Sequence, residues 1–318
     1  METVKYPLAY GCKNKSEDVR SASRSGGVFT AISDKILDSG GAVYGCALNE
    51  NFEAVHKRAT TKAQRDAFRG SKYVQSDLGD TFNSVREDLK SGIAVMFSGT
   101  PCQVDGLKRF LELTHTDTAN LVTVDLICHG VPSPRVWRDY LKYRSKRAKS
   151  PVAAVDFRNK AAFGWKNHVE TVAFENGKTV SSKKYTDLFL SDYIIRRSCH
   201  ECKYTSKARV SEITLGDFWG IDSLAPDFND DKGVSLILVN NEKGNKLFSS
   251  VADALTVKQF DLNTVNQTAL NHPHGYKPKR EEFWSDYNAN GIEFVMDKYV
   301  VKNSLSYKLK ELARSFMH

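Results

Sequence analysis

The chain has 318 residues, 41% of them apolar and 26% charged, enough to bury a sizeable core as two domains or one large one. No apolar run approaches the roughly 18 residues of a membrane span, and the start METVKYPLAYGCKNKSEDVR lacks the apolar stretch of about 7–15 residues that marks an export signal, so a cytoplasmic protein is expected. The formal charge of +8 lies in scattered pieces such as residues 142–149 (KYRSKRAK) and 277–280 (KPKR). These read as solvated faces or as a positive field for an acidic partner or a phosphorylated cofactor, and no nucleic-acid-binding pattern accompanies them.

Along the chain, residues 27–41 place apolar side chains at a helical period, with Ser25 as N-cap and Gly40-Gly41 as the stop. Strands are predicted at 42–48 and 53–59, and helices at 61–68 and 78–92. Residues 93–99 (IAVMFSG) form a near-continuous apolar run, the mark of a buried parallel strand. A helix with proline in its first turn follows at 101–113. A further buried strand at 121–128 feeds a turn at 129–134 and a helix through 135–147. The alternation predicts an α/β fold, a mixed and mainly parallel sheet covered by helices.

Near Ser150-Pro151 the pattern changes, which suggests a division into 1–150 and 151–318. Residues 152–158 read as a strand, and 169–185 as a hairpin turning at Asn176-Gly177. A helix at 187–197 leads into Cys199, and a strand at 213–221 ends in a glycine-flanked aromatic turn. Residues 234–251 read as strand, turn and helix, and the chain beyond about 255 as a mixed, lysine-rich tail. The second half is thus a smaller mixed β/α region carrying the Cys-x-x-Cys turn.

Six cysteines in a chain expected to stay in a reducing compartment point to metal or catalysis rather than disulfides. Cys199 and Cys202 form a Cys-x-x-Cys pair, a recurrent half-site for metals and clusters. Cys102 and Cys128 sit at the C-terminal ends of predicted buried strands, the edge where open α/β sheets bind ligands. Together the four make a candidate metal set for a [4Fe–4S] cluster. Structural zinc, a thioredoxin-like dithiol and inert buried thiols remain open as alternatives. Cys12 and Cys46 have no partner motif and read as ordinary core or surface thiols.

The turn at 23–31 (SRSGGVFTA) offers backbone amides of Ser25, Gly26 and Gly27 at a helix start, suited to an anion. A second small turn at Ser98, Gly99 and Thr100 strengthens the case for a pyrophosphate-bearing cofactor, and Lys72 and Tyr73 suit phosphate and ring contacts. No Gly-x-Gly-x-x-Gly is present, so a standard dinucleotide site is not expected. Trp165 and Trp219 are placed to flank a planar ring, although aromatic residues more often serve the core. His129, Lys166 and Asp217 are candidate catalytic groups, and His129 also a neighbour of cluster sulfur.

These motifs together resemble the coenzyme F420-reducing hydrogenase/dehydrogenase beta-subunit family. The resemblance rests on residues 25–31, 69–80 (RGSKYVQSDLGD), 98–108 (SGTPCQVDGLK), 125–134 (DLICHGVPSP), 165–168 (WKNH), 199–204 (CHECKY) and 213–221 (ITLGDFWGI), in the family's order over roughly residues 8 to 250. It implies FAD beside a [4Fe–4S] cluster held by Cys102, Cys128, Cys199 and Cys202. The serine- and glycine-rich turns would then lie near the flavin. Many relatives carry an N-terminal stretch of repeated Cys-x-x-Cys pairs, whereas only Cys12 stands here. The resemblance therefore implies an outside electron source, ferredoxin or a redox partner subunit, and a small-molecule hydride acceptor, coenzyme F420 or another. A non-catalytic electron-transfer subunit and a zinc-stabilised binding module are the other classes considered.

Overall fold

Val95–Gly99 is apolar on both faces, and the computed structural model, which describes residues 5–301, buries all five residues inside a sheet. Alternation sorts their side chains: Val95 and Phe97 face one layer and Met96 the other. The strands are β1 (Leu8–Asn14), β2 (Ala42–Leu48), β3 (Ala54–Ala59), β4 (Val95–Gly99), β5 (Leu121–Leu126), β6 (Val152–Asp156), β7 (Glu170–Phe174), β8 (Thr179–Ser182), β9 (Ile213–Asp217), β10 (Ser235–Val239) and β11 (Leu255–Phe260). Among the described residues, eight of them pair in the order β11-β1-β10-β9-β5-β4-β2-β3. The central β9, β5, β4 and β2 run parallel, and the outer strands pair antiparallel. The fold is therefore mixed α/β. Strands from both sides of residue 150 share this sheet.

Helices Val28–Asp38 and Glu242–Val251 cover one face, closing a core with Ile32, Met96, Ile237 and Phe248. Helices Thr81–Lys90 and Pro101–Leu113 cover the other face beside β2, β4 and β5. Val104, Leu107 and Leu111 of the latter are fully buried, whereas Leu113 on its outer side is 79% exposed. Helix Pro134–Ala148 packs with the small antiparallel sheet β6-β7-β8 in a cluster that includes Trp137, Tyr140, Phe157 and Tyr185. The β7–β8 hairpin turns at Asn176-Gly177 as expected, with Gly177 at φ +79.

Several expectations shift. Gly27, at φ +82, and not Ser25, caps the helix at Val28; the Ser25 hydroxyl instead donates to the Val234 carbonyl at 2.7 Å. The helix expected at 187–197 spans Lys184–Leu190, and Cys199 lies in a separate short turn, Arg197–Glu201. Strands β1 and β11 and the helix Arg280–Val295, kinked at Gly291, were not anticipated. The lysine-rich end of the expected tail, residues 302–318, lies outside the described residues.

Candidate functional site

The parallel strands end where the site begins. Residues at or just beyond the C-terminal ends of β4, β5 and β9 (Ser98 to Thr100, Leu126, Leu215 to Asp217) line a cavity of about 230 Å³ together with Ser25, Gly27, Cys46, His56 and Lys72. Gly26 lies just behind this wall, where a Cβ would stand 2.1 Å from the Cys12 carbonyl oxygen; only glycine lets the turn press against β1. On one side the cavity shares Ser23, Arg24 and Arg69 to Lys72 with a second of about 480 Å³ that also reaches Lys160. On the other it shares Val74, Ser76, Thr100, Gln103 and Val131 with a third of about 680 Å³ that reaches Cys102.

The outer end is cationic and crowded. Burial and the neighbouring Arg20 and Arg24 push the Lys160 ammonium down to about 8, and burial brings Lys72 to about 8 as well. Lys72 donates to the carbonyls of Ala67 and Arg69, both at 2.9 Å. Arg24 pairs with Asp156 at 2.8 Å, yet its Nε is buried with no hydrogen-bond partner. In the central cavity His56 stacks on Phe97, and its Nε2 donates to the Ser98 carbonyl at 3.1 Å. Its Nδ1 is buried without a partner, and burial holds the imidazole neutral with a pKa of about 4. Cys46 also lines this cavity; burial raises its thiol while Lys72 opposes the rise.

At the other end the segments that carry Cys102, Cys128 and the Cys199–Cys202 pair approach one another. Cys102 is exposed in the first turn of helix Pro101–Leu113, where Gln103 Oε1 accepts from the Thr100 amide at 2.9 Å and fixes the turn. The Thr100 hydroxyl lies 3.1 Å from Cys102 Sγ. Cys128 follows β5 by two residues. Backbone bonds from Ser133 to Ile194 and from Arg196 to Val131, at 2.9 and 3.0 Å, bring the Cys128 turn against the Cys199 turn. They approach so closely that a Cβ on Gly130 would stand 3.4 Å from Cys199 Cβ. Asp105 accepts from the Tyr204 hydroxyl at 2.5 Å and lies 3.6 Å from Lys203, tying the Cys102 helix to the Cys202 loop. Buried Arg209 pairs with buried Asp125 at 3.0 Å and donates to the carbonyls of Leu126 and Tyr204.

Burial pushes the Cys128 thiol up to about 12, and the Cys199, Cys102 and Cys202 thiols add to the rise. Cys199 is raised by burial and then by Cys202 and Cys102, while the Val131 backbone amide opposes. Thiols held protonated in this way become stable thiolates only when a cation binds among them. Among the described residues, the four cysteines do not form a close group of three or more potential metal ligands.

A sequence profile for the C terminus of the coenzyme F420 hydrogenase/dehydrogenase beta subunit matches residues 93–263, a span that holds all four cysteines. The chain belongs to this beta-subunit family. A chain of the F420-reducing [NiFe] hydrogenase complex from Methanosarcina barkeri, solved in a xenon-derivatization study, superposes with a TM-score of 0.55 at 17% identity. The match covers 92% of this chain and 91% of that one, and at such identity it speaks for a shared fold. No curated protein matches the sequence. The family makes this beta-subunit-type chain an oxidoreductase-associated protein of F420-linked redox chemistry. Among the described residues no helix is long and apolar enough to cross a membrane.

The remaining residues singled out in the sequence fall in different places. Tyr73 packs on Phe189 and Phe157 beside the cavities and does not line the central one. Asp217 lines that cavity, but Arg158 at 2.5 Å and the Trp165 indole N–H at 2.9 Å hold its carboxylate. Lys166 is half exposed between Asp222 and Asp231, away from the cavities. Trp165 and Trp219 do not flank a ring: they stack on each other, centroids 5.1 Å apart and 7° from parallel. His129 directly follows Cys128, and its Nε2 lies 2.6 Å from Asp192 Oδ1. Cys46, His56, Arg24 and Gln103 are cavity residues that sequence reasoning missed. Gln103 carried a signal, since it stands at the third position of a proline-started helix.

Proposed function

We propose that this chain is an oxidoreductase that holds a [4Fe–4S] cluster on Cys102, Cys128, Cys199 and Cys202 and FAD in the adjoining cavities, and passes electrons to a hydride acceptor. The observation that carries it is that the segments of all four cysteines come together beside a connected cavity system whose other end is cationic. When bound, the cluster supplies one-electron steps and the flavin links them to two-electron hydride transfer. The donor set suits iron and sulfide. Four cysteine thiolates are the ligand set of a [4Fe–4S] cluster; they also suit zinc, which iron, sulfide and zinc counts on one sample separate.

The cavities suit a flavin nucleotide on separate grounds. Arg24, Arg69, Lys72 and Lys160, with the Ser23–Gly27 turn, would hold phosphates, and the orphaned Arg24 Nε is a donor awaiting an anion. The orphaned Nδ1 of neutral His56 would accept from a ring N–H. The small residues Ser98, Gly99 and Thr100 leave room for a ring between that histidine and Cys102. Residues 1–150 would thus supply most of the flavin wall, and residues 151–318 the Cys-x-x-Cys turn and the substrate side. Of the candidates for proton handling, His129 stands next to Cys128 and Asp217 lines the central cavity, while Lys166 lies away from the cavities.

Electrons would enter at the exposed Cys102 and the Cys199–Cys202 turn. Exposed Arg196, Arg197 and Lys203 around that turn favour an acidic donor, ferredoxin or a partner subunit. The acceptor is coenzyme F420 or another hydride acceptor. Anaerobic assay with a reduced viologen as donor and coenzyme F420 as acceptor tests the reading, and steady turnover is expected. Flavin reduction with no turnover of any soluble acceptor would favour a subunit that only relays electrons.

A further inference from the structure

Beside the thiols, and apart from the four cysteines, three side chains from separate segments meet: His129 after Cys128, Asp192 in the turn that ends helix Lys184–Leu190, and His274 in the irregular stretch before helix Arg280–Val295. One ligand atom from each lies within 4.8 Å of the other two. Asp192 is buried, with a side chain only 3% exposed, and His129 and His274 are partly buried. The two imidazoles pack with centroids 3.7 Å apart, and no hydrogen bond is found for the His274 ring among the described residues. Burial and then His129 hold His274 below its ordinary pKa.

We propose that His129, Asp192 and His274 bind one divalent first-row transition-metal ion. Two imidazoles and one carboxylate favour zinc or ferrous iron over calcium and magnesium, and three ligands leave positions open for water or substrate. Metal–nitrogen and metal–oxygen bonds are about 2.0–2.2 Å, so modest side-chain rotation closes the group around an ion. Lys277 now supplies the positive charge, 3.1 Å from Asp192 Oδ2, and at 42% side-chain exposure it can turn into solvent when a metal arrives. The ion would fasten the irregular 271–277 stretch to the Cys128 turn. The site does not depend on the flavin or on the cluster.

The probe is Zn(II), bound by equilibrium dialysis to the full chain purified anaerobically, with zinc, iron and sulfide counted on each sample. Wild type should bind one zinc with its iron and sulfide unchanged. His274→Gln should bind it at least ten-fold more weakly with unchanged circular dichroism, and Lys277→Met, freed of the competing ammonium, several-fold more tightly. Equal zinc binding by wild type and His274→Gln overturns the proposal, as does no binding by wild type and Lys277→Met alike. Zinc that Cys199→Ser abolishes while His274→Gln retains it would lie on the cysteines; that outcome rejects this site and counts separately against the cluster.

Discussion

Cys199 is a thiol whose ionisation burial and two neighbouring sulfurs resist, so its anion is stable only when a metal takes the charge. Cys199→Ser should therefore lose or degrade the cluster, read as iron and sulfide per chain; full content in that variant contradicts the ligand assignment. Cys12 is fully buried in β1 with its thiol pushed far up by burial, and Cys12→Ser should keep the cluster. His56 gives a pH signature. Its folded pKa of about 4 lies below the ordinary 6.5, so the unfolded chain takes up a proton that the folded chain refuses between those values. The stability tied to neutral His56 is complete above about pH 6.5 and is lost as pH falls towards 4, with a slope of up to about 1.4 kcal/mol per pH unit. His56→Gln should flatten that slope in denaturant melts across this window; an unchanged slope would contradict the buried, neutral assignment.

At the scale of elements, the site depends on three ties: the backbone bonds between 131–133 and 194–196, Asp105 to the Cys202 loop, and Arg209 to the end of β5. Arg209→Met would strand Asp125, which is fully buried, at a cost of about 3–5 kcal/mol. It should also free the Cys199–Cys202 loop, seen as a lower melting temperature and faster cluster loss in air; wild-type behaviour in both would show that the tie is dispensable. None of these ties is local in sequence, which is why Arg209 and Asp105 passed unnoticed. The cysteines were legible because strand ends and a Cys-x-x-Cys pair are local signals. Strand β11 (LTVKQF) breaks its alternation at Lys258-Gln259, and its exposed Thr256, Lys258 and Gln259 gave it the look of a polar tail. Strand β1 was hidden by Gly11, a position where a Cβ would meet the Phe260 ring at 2.9 Å.

At the scale of the molecule, the parallel centre of the sheet followed from the buried runs at 95–99 and 121–126, since strands covered on both faces read as unbroken apolar segments. The antiparallel pairings of β1 with β10 and β11 could not be read, because each joins segments more than 200 residues apart. That closure brings Ser235 to the Gly26 amide at 2.9 Å and completes the wall of the cavity from the far end of the chain. On the proposed reading, a cluster and a flavin share this connected site. Iron, sulfide, zinc and flavin measured on one anaerobically purified sample test it most directly. About four irons, four sulfides and one flavin per chain are expected, whereas zinc held on the cysteines with neither iron nor flavin would contradict it.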